Sequence, residues 1–266
     1  MEKENWVLAC AVYMKSAVER GSIIALTVSL DKLNLFFYRK PYIIMENKMR
    51  LERRINVMIQ DFTIHTFLEK LSSKSPTPGG GGAAGLGGAV GAALGEMVVN
   101  LTLGKKRYAD VEEEMQSILE KLEALKREFL RLADEDEVVF VPLAAAYCLP
   151  SGTEEEKLHK TEILETHLLA ASLVPLMVME RSMETLDILE FLAEKGSRLA
   201  VSDVGVGVQF IRSALLGAKM NVSINTKSMK EREKAGQLQS QAEHLAEEGI
   251  RKADAIYAKV EAALKA

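Results

Sequence analysis

The stretch at residues 111–132, VEEEMQSILEKLEALKREFLRL, decides the fold class. Its apolar side chains recur at alternating steps of four and three residues, which places them on one side of a helix. The seam consists of Val111, Met115, Ile118, Leu122, Leu125, Phe129 and Leu132. An uninterrupted seam of this kind is typical of a long helix packed against other helices, so we expect a helical bundle.

Helical patterns continue on both sides of this stretch, from Asp61 to the end of the chain, with loops marked by Pro and Gly. Thr153 and Glu156 have the spacing of a capping box, which predicts the start of a long helix that runs to Gly196. A further helix is expected from residues 202–203 to Gly217, and the last one from about residue 230 to residue 264. The predicted fold is therefore all-α.

Two prolines, Pro142 and Pro175, fall inside helical patterns. Proline removes a backbone hydrogen bond, so each should kink or break its helix, and such bends can open a cavity in a bundle. Simple curvature around the core is an equal alternative. We expect a bundle of long, partly kinked helices.

Residues 1–57 differ from the rest, because β-branched and aromatic clusters stand there among basic residues without a sustained helical period. They are interpreted as an N-terminal extension of uncertain order, to which no function is assigned. The predicted domain division is an extension at 1–57 and a helical domain at 58–266.

Composition excludes several classes of function. The chain has 34 basic and 38 acidic side chains, a formal net charge of -4 and a pI of about 5.8, which argues against nucleic-acid binding. Cys10 and Cys148 provide neither a disulfide framework nor a zinc set, and the four histidines lack ligand spacing. We predict a protein of the reducing cytosol that holds no metal ion.

A membrane location is also disfavoured. The amino terminus lacks the basic start of a secretory signal. From Gly79 to Leu103 only Glu96 is charged, which is long enough for a membrane span. Because this stretch is mainly Gly and Ala, a tightly packed internal helix is the favoured interpretation.

The turn at residues 76–82, PTPGGGG, is the first candidate binding surface. Thr77 can cap the helix that follows and Pro78 is suited to its first turn, so free amide groups would point outward. Glycines let a ligand or a neighbouring backbone come close. The candidate binding residues here are Thr77, Pro78, Gly79, Gly80, Gly81 and Gly82.

Other interpretations of these glycines were weighed. Gly80, Gly82 and Gly85 match a dinucleotide-binding spacing, but no strand precedes them, and no Gly-Lys-Ser/Thr closes a phosphate loop. The glycines further along, from Gly85 to Gly95, are better explained by close helix packing. The turn itself favours a functional role.

Asp136 is the most informative single residue, because the rhythm of the seam continues from Leu132 onto this acid before it resumes at Val139. Burial of an ionised carboxylate is costly unless it is paired, and it often raises the pKa. Such a group facing a cavity is a candidate acid or base. A structural salt bridge or a helix cap is the alternative.

Further polar residues are weaker candidates. The basic turn with Lys105, Lys106 and Tyr108 can hold a carboxylate or phosphate, although an exposed charged turn is the commoner explanation. Residues Ser202 and Asp203 can serve purely as a helix start. The remaining candidates, which can also cap or line a turn, are Asn221 and Asn225.

In order and spacing, several segments resemble the formimidoyltetrahydrofolate cyclodeaminase family, which also includes methenyltetrahydrofolate cyclohydrolases. The resemblance runs from about Thr63 to the end, and the sequence departs from the family pattern at Arg107 and Val139. The matching segments are residues 67–68, 76–81, 103–108, 149–150, 202–204 and 221–225, with Asp136 and Phe140 between them.

The resemblance implies an all-helical fold, a homodimer or higher homo-oligomer, and conversion of 5-formimidoyltetrahydrofolate to 5,10-methenyltetrahydrofolate with loss of ammonia. It implies a folate as substrate and no cofactor. Asp136 or Asp203 would move the proton, the glycine turn would accommodate the pterin, and Lys105 and Lys106 would meet the glutamate tail. The alternatives are a methenyltetrahydrofolate cyclohydrolase, a non-catalytic helical scaffold and, on the glycine spacing alone, a nucleotide-binding protein.

Overall fold

The computed structural model describes residues 58–265, which are helical and contain no strand. The chain divides after Thr66, and the unit from Phe67 onward is a helical bundle. The predicted all-α fold is confirmed, whereas the prediction for residues 1–57 lies outside the described residues. The α-helices are α1 (Ile64–Leu71), α2 (Gly80–Asn100), α3 (Glu112–Tyr147), α4 (Glu154–Lys195), α5 (Val201–Ser228) and α6 (Arg232–Lys265).

The seam of α3 and the start of α4 agree with the sequence predictions. All seven seam residues are buried, with Met115, Leu122 and Phe129 fully so. At the start of α4 the Thr153 hydroxyl accepts a hydrogen bond from the Glu156 amide, and the Glu156 carboxylate accepts one from the Thr153 amide. This capping box satisfies amide groups that would otherwise lack partners.

Two helices run further than expected. Helix α5 continues past Gly217 to Ser228, and Gly217 lies inside the helix beside Ala84, at an ordinary van der Waals distance. Helices α3 and α4 continue through Pro142 and Pro175, which are both buried, so neither proline ends its helix. Tertiary packing of the long helices outweighs the hydrogen bond that each proline removes.

Glycines bring α2 into close contact with two neighbouring helices. A Cβ on Gly88 would lie 2.4 Å from the Phe129 ring of α3, and one on Gly91 would lie 2.6 Å from Ile211 of α5. Because these separations are shorter than any van der Waals contact, only glycine fits. The packing interpretation of the later glycines is therefore confirmed, and α2 lies antiparallel to both α3 and α5.

The outer sides of α2 and α5 form an exposed apolar surface, which we call the α2/α5 face. It runs along α5 and includes the end of α2, although large apolar side chains are ordinarily buried. Its most exposed members are Met97, Val206, Phe210, Met220 and Ile224. Phe210 is 40% exposed and Ile224 is 60% exposed, so the bundle leaves this face uncovered.

Three segments are long and apolar enough to cross a membrane by length and composition: Gly80–Asn100, Glu154–Lys195 and Arg198–Ser228. In the bundle they pack on one another, and 56% of the apolar window in Gly80–Asn100 is buried inside the protein. Internal helix packing thus accounts for the apolar character of α2, as its Gly and Ala content indicates.

Candidate active site

The turn that precedes α2 differs in detail from the sequence prediction. The N-cap is Gly79, whose extended backbone makes no side-chain capping bond, so Thr77 does not cap the helix. Instead the Thr77 carbonyl accepts a hydrogen bond from the Ser75 hydroxyl at 2.7 Å, and Pro78 is buried. Because the N-cap Gly79 has no side chain, it leaves the amides of Gly80 and Gly81 available to a ligand.

Asp136 of α3 lies directly on the start of α2. A Cβ added to Gly81 would lie 2.1 Å from Asp136 Oδ1 and 2.4 Å from its Cγ, so no other residue fits at position 81 while the carboxyl group stays there. The next amide, that of Gly82, donates a hydrogen bond to the same carboxyl group. The structure therefore brings Asp136 and the glycine turn together.

The surroundings of Asp136 change its acidity. Burial raises the pKa of this carboxyl group to about 6, and the neighbouring Glu137 charge adds to the rise, although the Gly82 hydrogen bond opposes it. A carboxyl group with this pKa exists in both protonation states near neutral pH. It can therefore accept a proton in one step and return it in the next.

Asn221 lies beside the first of these glycines, and Asn225 follows it one turn later on α5. The Asn221 side-chain amide lies against Gly80, with Nδ2 3.7 Å and Oδ1 3.8 Å from where a Cβ on that glycine would be. Its Nδ2 donates to the Gly217 carbonyl at 2.9 Å. Asn225 Nδ2 donates across to the Ala171 carbonyl of α4 at 2.8 Å.

We call this region the glycine end. It combines free backbone donors, two side-chain amides and a carboxyl group of raised pKa, which together can bind a polar heterocycle and move a proton. It consists of Thr77, Pro78, Gly79, Gly80, Gly81, Gly82, Asp136, Asn221 and Asn225.

The other predicted residues lie at the opposite end of the bundle, which we call the basic end. The Tyr108 hydroxyl accepts a hydrogen bond from the Arg198 amide at 3.1 Å. This bond and the nearby cations lower the pKa of Tyr108. The hydrogen bond from Arg198 to Tyr108 also holds the basic turn beside the start of α5. The basic end consists of Lys105, Lys106, Tyr108, Ser202 and Asp203.

The two ends are far apart in one chain. Asp203 and Asn221 both belong to α5, and at 1.5 Å per residue they are separated by about 27 Å along the helix axis. Helix α2 spans a similar length between the glycine turn and the basic turn. One chain therefore does not bring Lys105, Lys106, Ser202 or Asp203 to the glycine end.

His167 is a residue that the sequence did not single out. It lies on α4 one turn before Ala171, whose carbonyl holds Asn225, and burial lowers the pKa of its imidazole. Its only signal in the sequence is a lone histidine on a helix face, which is usually structural. No metal-binding group of His, Cys, Asp and Glu occurs among residues 58–265.

Comparison with known proteins identifies relatives with the same fold. A family model described as Formiminotransferase-cyclodeaminase matches residues 63–244. Formiminotetrahydrofolate cyclodeaminase from Thermotoga maritima, a solved structure, is similar with a TM-score of 0.66 and 29% identity, over 78% of this chain and 98% of that one.

Two curated relatives differ in their named activities. Methenyltetrahydrofolate cyclohydrolase from Methylorubrum extorquens is 43% identical over 64% of this chain and 82% of that protein. Formimidoyltransferase-cyclodeaminase from Rattus norvegicus is 31% identical over 64% of this chain, but the match spans only 31% of the rat protein. Since the family model covers most of the helical bundle, including Asp136 and the glycine turn, the chain belongs to the formiminotransferase-cyclodeaminase family.

Proposed function

We infer that this chain is an enzyme acting on the carbon that bridges N5 and N10 of tetrahydrofolate. The observation that carries this proposal is the position of Asp136, whose carboxyl group lies on Gly81 and has a pKa of about 6. Chemistry at this carbon requires a binding site for the polar ring and, beside it, a group that accepts and returns a proton. The glycine end provides the binding site and the proton-transfer group.

Of the two reactions known among the relatives, water addition to 5,10-methenyltetrahydrofolate is favoured by the 43% identity to the cyclohydrolase. Asp136 would accept a proton from water as its oxygen bonds to the bridging carbon. As the carbon–N5 bond of the tetrahedral adduct breaks, Asp136 would give its proton to N5 and the adduct's hydroxyl group would release its proton to solvent, which leaves the formyl group on N10. No metal ion or prosthetic group enters these steps.

Cyclodeamination is the second candidate, supported by the similarity to the Thermotoga cyclodeaminase. Here N10 of 5-formimidoyltetrahydrofolate attacks the formimidoyl carbon, and Asp136 accepts the N10 proton. Asp136 would return that proton to the amino group, which departs as ammonia and leaves the methenyl bridge. Both reactions start from the ionised carboxylate, so the same site serves either one.

The deciding assay offers the purified full-length chain both substrates. Methenyl absorbance reports ring opening or closure, and ammonia release reports deamination. We expect rapid loss of methenyl absorbance from 5,10-methenyltetrahydrofolate, and slower or no ammonia release from the formimidoyl substrate. Ammonia release as the faster activity would assign the chain to the cyclodeaminases instead, and inactivity on both substrates would favour a helical scaffold.

The active form is proposed to be a homodimer that joins the two ends through the α2/α5 face. In a dimer with two-fold symmetry, an antiparallel pair of α5 helices places the glycine end of one protomer against the basic end of its partner. The axis would then pass near Ser213, which is exposed midway between Asp203 and Asn221. In this arrangement Lys105 and Lys106 of one protomer reach the glutamate tail of a folate whose pterin lies at the partner's glycine end.

Gly81→Ala tests the close approach of Asp136. The added methyl group would lie 2.1 Å from Oδ1, so the carboxyl group must move away from the Gly82 amide. We expect kcat/KM to fall by about 10²-fold, because a displacement of about 1 Å in a reacting group has effects of this size. Steady-state kinetics with the preferred substrate measures the effect.

The matched control is Gly236→Ala on α6, where an added Cβ would meet nothing within 4 Å. This variant should keep wild-type activity and gain up to about 1 kcal/mol of stability from the better helix propensity of alanine. Unchanged kcat/KM in Gly81→Ala, with the fold intact by circular dichroism, would contradict the assignment of Asp136 to the reacting atoms.

We also propose that the protein is soluble and cytoplasmic and needs no membrane partner. The apolar stretches of α2, α4 and α5 pack on each other, and the exposed part of the α2/α5 face is assigned to the partner protomer rather than to lipid. Retention of activity in the soluble fraction of disrupted cells checks this proposal.

A further inference from the structure

Within the part of the chain that the structure describes, Asn221 and Asn225 each use the side-chain nitrogen in a hydrogen bond and leave the side-chain oxygen without one. Each Nδ2 is used by a backbone carbonyl, that of Gly217 for Asn221 and that of Ala171 for Asn225. A carbonyl can only accept, so these bonds fix the amide orientation and identify which atom is Oδ1. Among residues 58–265, neither Oδ1 takes part in a hydrogen bond.

These two oxygens remain open to a ligand. Both residues are half-buried, and neither Oδ1 is among the fully buried polar atoms without a partner. They stand one helical turn apart on α5. Asn221 lies against Gly80, and the next glycine, Gly81, is the one that the Asp136 carboxyl group contacts. The glycine end thus presents a pair of pure hydrogen-bond acceptors on one wall and the proton-transfer group on another.

Resting on the proposed function, we propose that Asn221 and Asn225 act together as the residues that select and orient the pterin. Their carbonyl oxygens accept hydrogen bonds from the two N–H groups of the 2-amino group on the aminopyrimidinone ring. The Gly80 and Gly81 amides match the acceptor atoms of the same ring. With this edge held by α5, the N5 side of the ring is directed to Asp136.

Asn221→Ser is a sharp test, because serine in a helix can donate to the carbonyl four residues earlier, as Ser172 and Ser182 do in this protein. The bond to Gly217 is therefore kept, while the acceptor is lost from the position of Oδ1 because the serine side chain is one bond shorter. The probes are tetrahydrofolate and its 2-desamino analogue, each used anaerobically as a competitive inhibitor. Asn100→Ser, at the exposed far end of α2, is the matched control.

We expect Asn221→Ser to weaken tetrahydrofolate inhibition about ten-fold and to leave inhibition by the 2-desamino analogue unchanged. Wild type should prefer tetrahydrofolate over the analogue by a similar factor, and Asn100→Ser should behave as wild type. Asn225→Ser should show the same loss of preference.

Equal weakening of both inhibitors by Asn221→Ser, or no preference in wild type, would overturn the orientation proposed here. Turnover by the wild-type enzyme would continue in either case, so the proposed function would stand. Failure of wild type to turn over either folate substrate is the separate result that removes the proposed function itself. Thermal denaturation of each variant confirms that the fold is retained.

Discussion

Asp136→Asn is expected to reduce kcat by about 10² to 10⁴-fold, because it removes the group that accepts and returns the proton. The asparagine Oδ1 can still accept the Gly82 hydrogen bond, and its size fits the space on Gly81. Substrate binding should therefore change little, so KM stays near the wild-type value. Stopped-flow or steady-state absorbance of the methenyl group gives both constants.

The stability of this variant separates a functional loss from a structural one. The folded protein holds a proton on Asp136 up to about pH 6, whereas in the unfolded chain the proton leaves near the ordinary value of 3.8. The free energy of unfolding therefore falls as pH rises between these values, and above them the buried charge costs about 3 kcal/mol. Asp136→Asn removes this cost and should stabilise the protein at pH 7.5 by about 1 to 3 kcal/mol.

The pH profile provides a second readout. Because both candidate reactions begin with the ionised carboxylate, kcat/KM of the wild type should fall as the pH is lowered through about 6. The residual activity of Asp136→Asn should lack this limb. If kcat/KM of Asp136→Asn still fell through about pH 6, or if the variant turned over at the wild-type rate, the proton transfer would belong to another group.

Mixed dimers of Asp136→Asn and Asp203→Asn are expected to recover activity that neither variant has alone. If each site takes Asp136 from one protomer and Asp203 from its partner, a mixed dimer holds one site with both aspartates and one with neither. Random pairing makes half of the dimers mixed, so activity should reach about one quarter of the wild-type value. Purification through two different affinity tags would isolate the mixed species and about double this figure.

The outcome discriminates between arrangements. If both aspartates belonged to one chain's site, every site in a mixed dimer would lack one of them, and no activity would return. Wild-type turnover by Asp203→Asn alone would instead remove Asp203 from the reaction.

In a background without Cys10 and Cys148, Ser213→Cys should form an intermolecular disulfide across the axis, whereas Ser240→Cys on exposed α6 should not.

Local patterns in the chain were sufficient to predict most of the helices. The four-three rhythm of 111–132 and the capping box at Thr153 depend on neighbours within a few residues, so the bounds of α4 followed from them. The length of α5 did not follow, because glycine is a common helix terminator, whereas packing of α5 on α2, α4 and α6 keeps Gly217 inside the helix. The helices likewise continue through Pro142 and Pro175, because packing on other helices stabilises them.

The site shows the same division between local and distant information. The sequence by itself marked Asp136 as an acid on an apolar seam, and it marked the glycine turn as a place of close approach. Only the tertiary structure decided that these two meet, that Gly81 is the residue that admits the carboxyl group, and that Lys105 and Asp203 lie at the opposite end of the bundle. The physical reason is that helix periodicity specifies which face a residue occupies, whereas the antiparallel packing of α2 against α3 and α5 decides which distant residues lie at the same level.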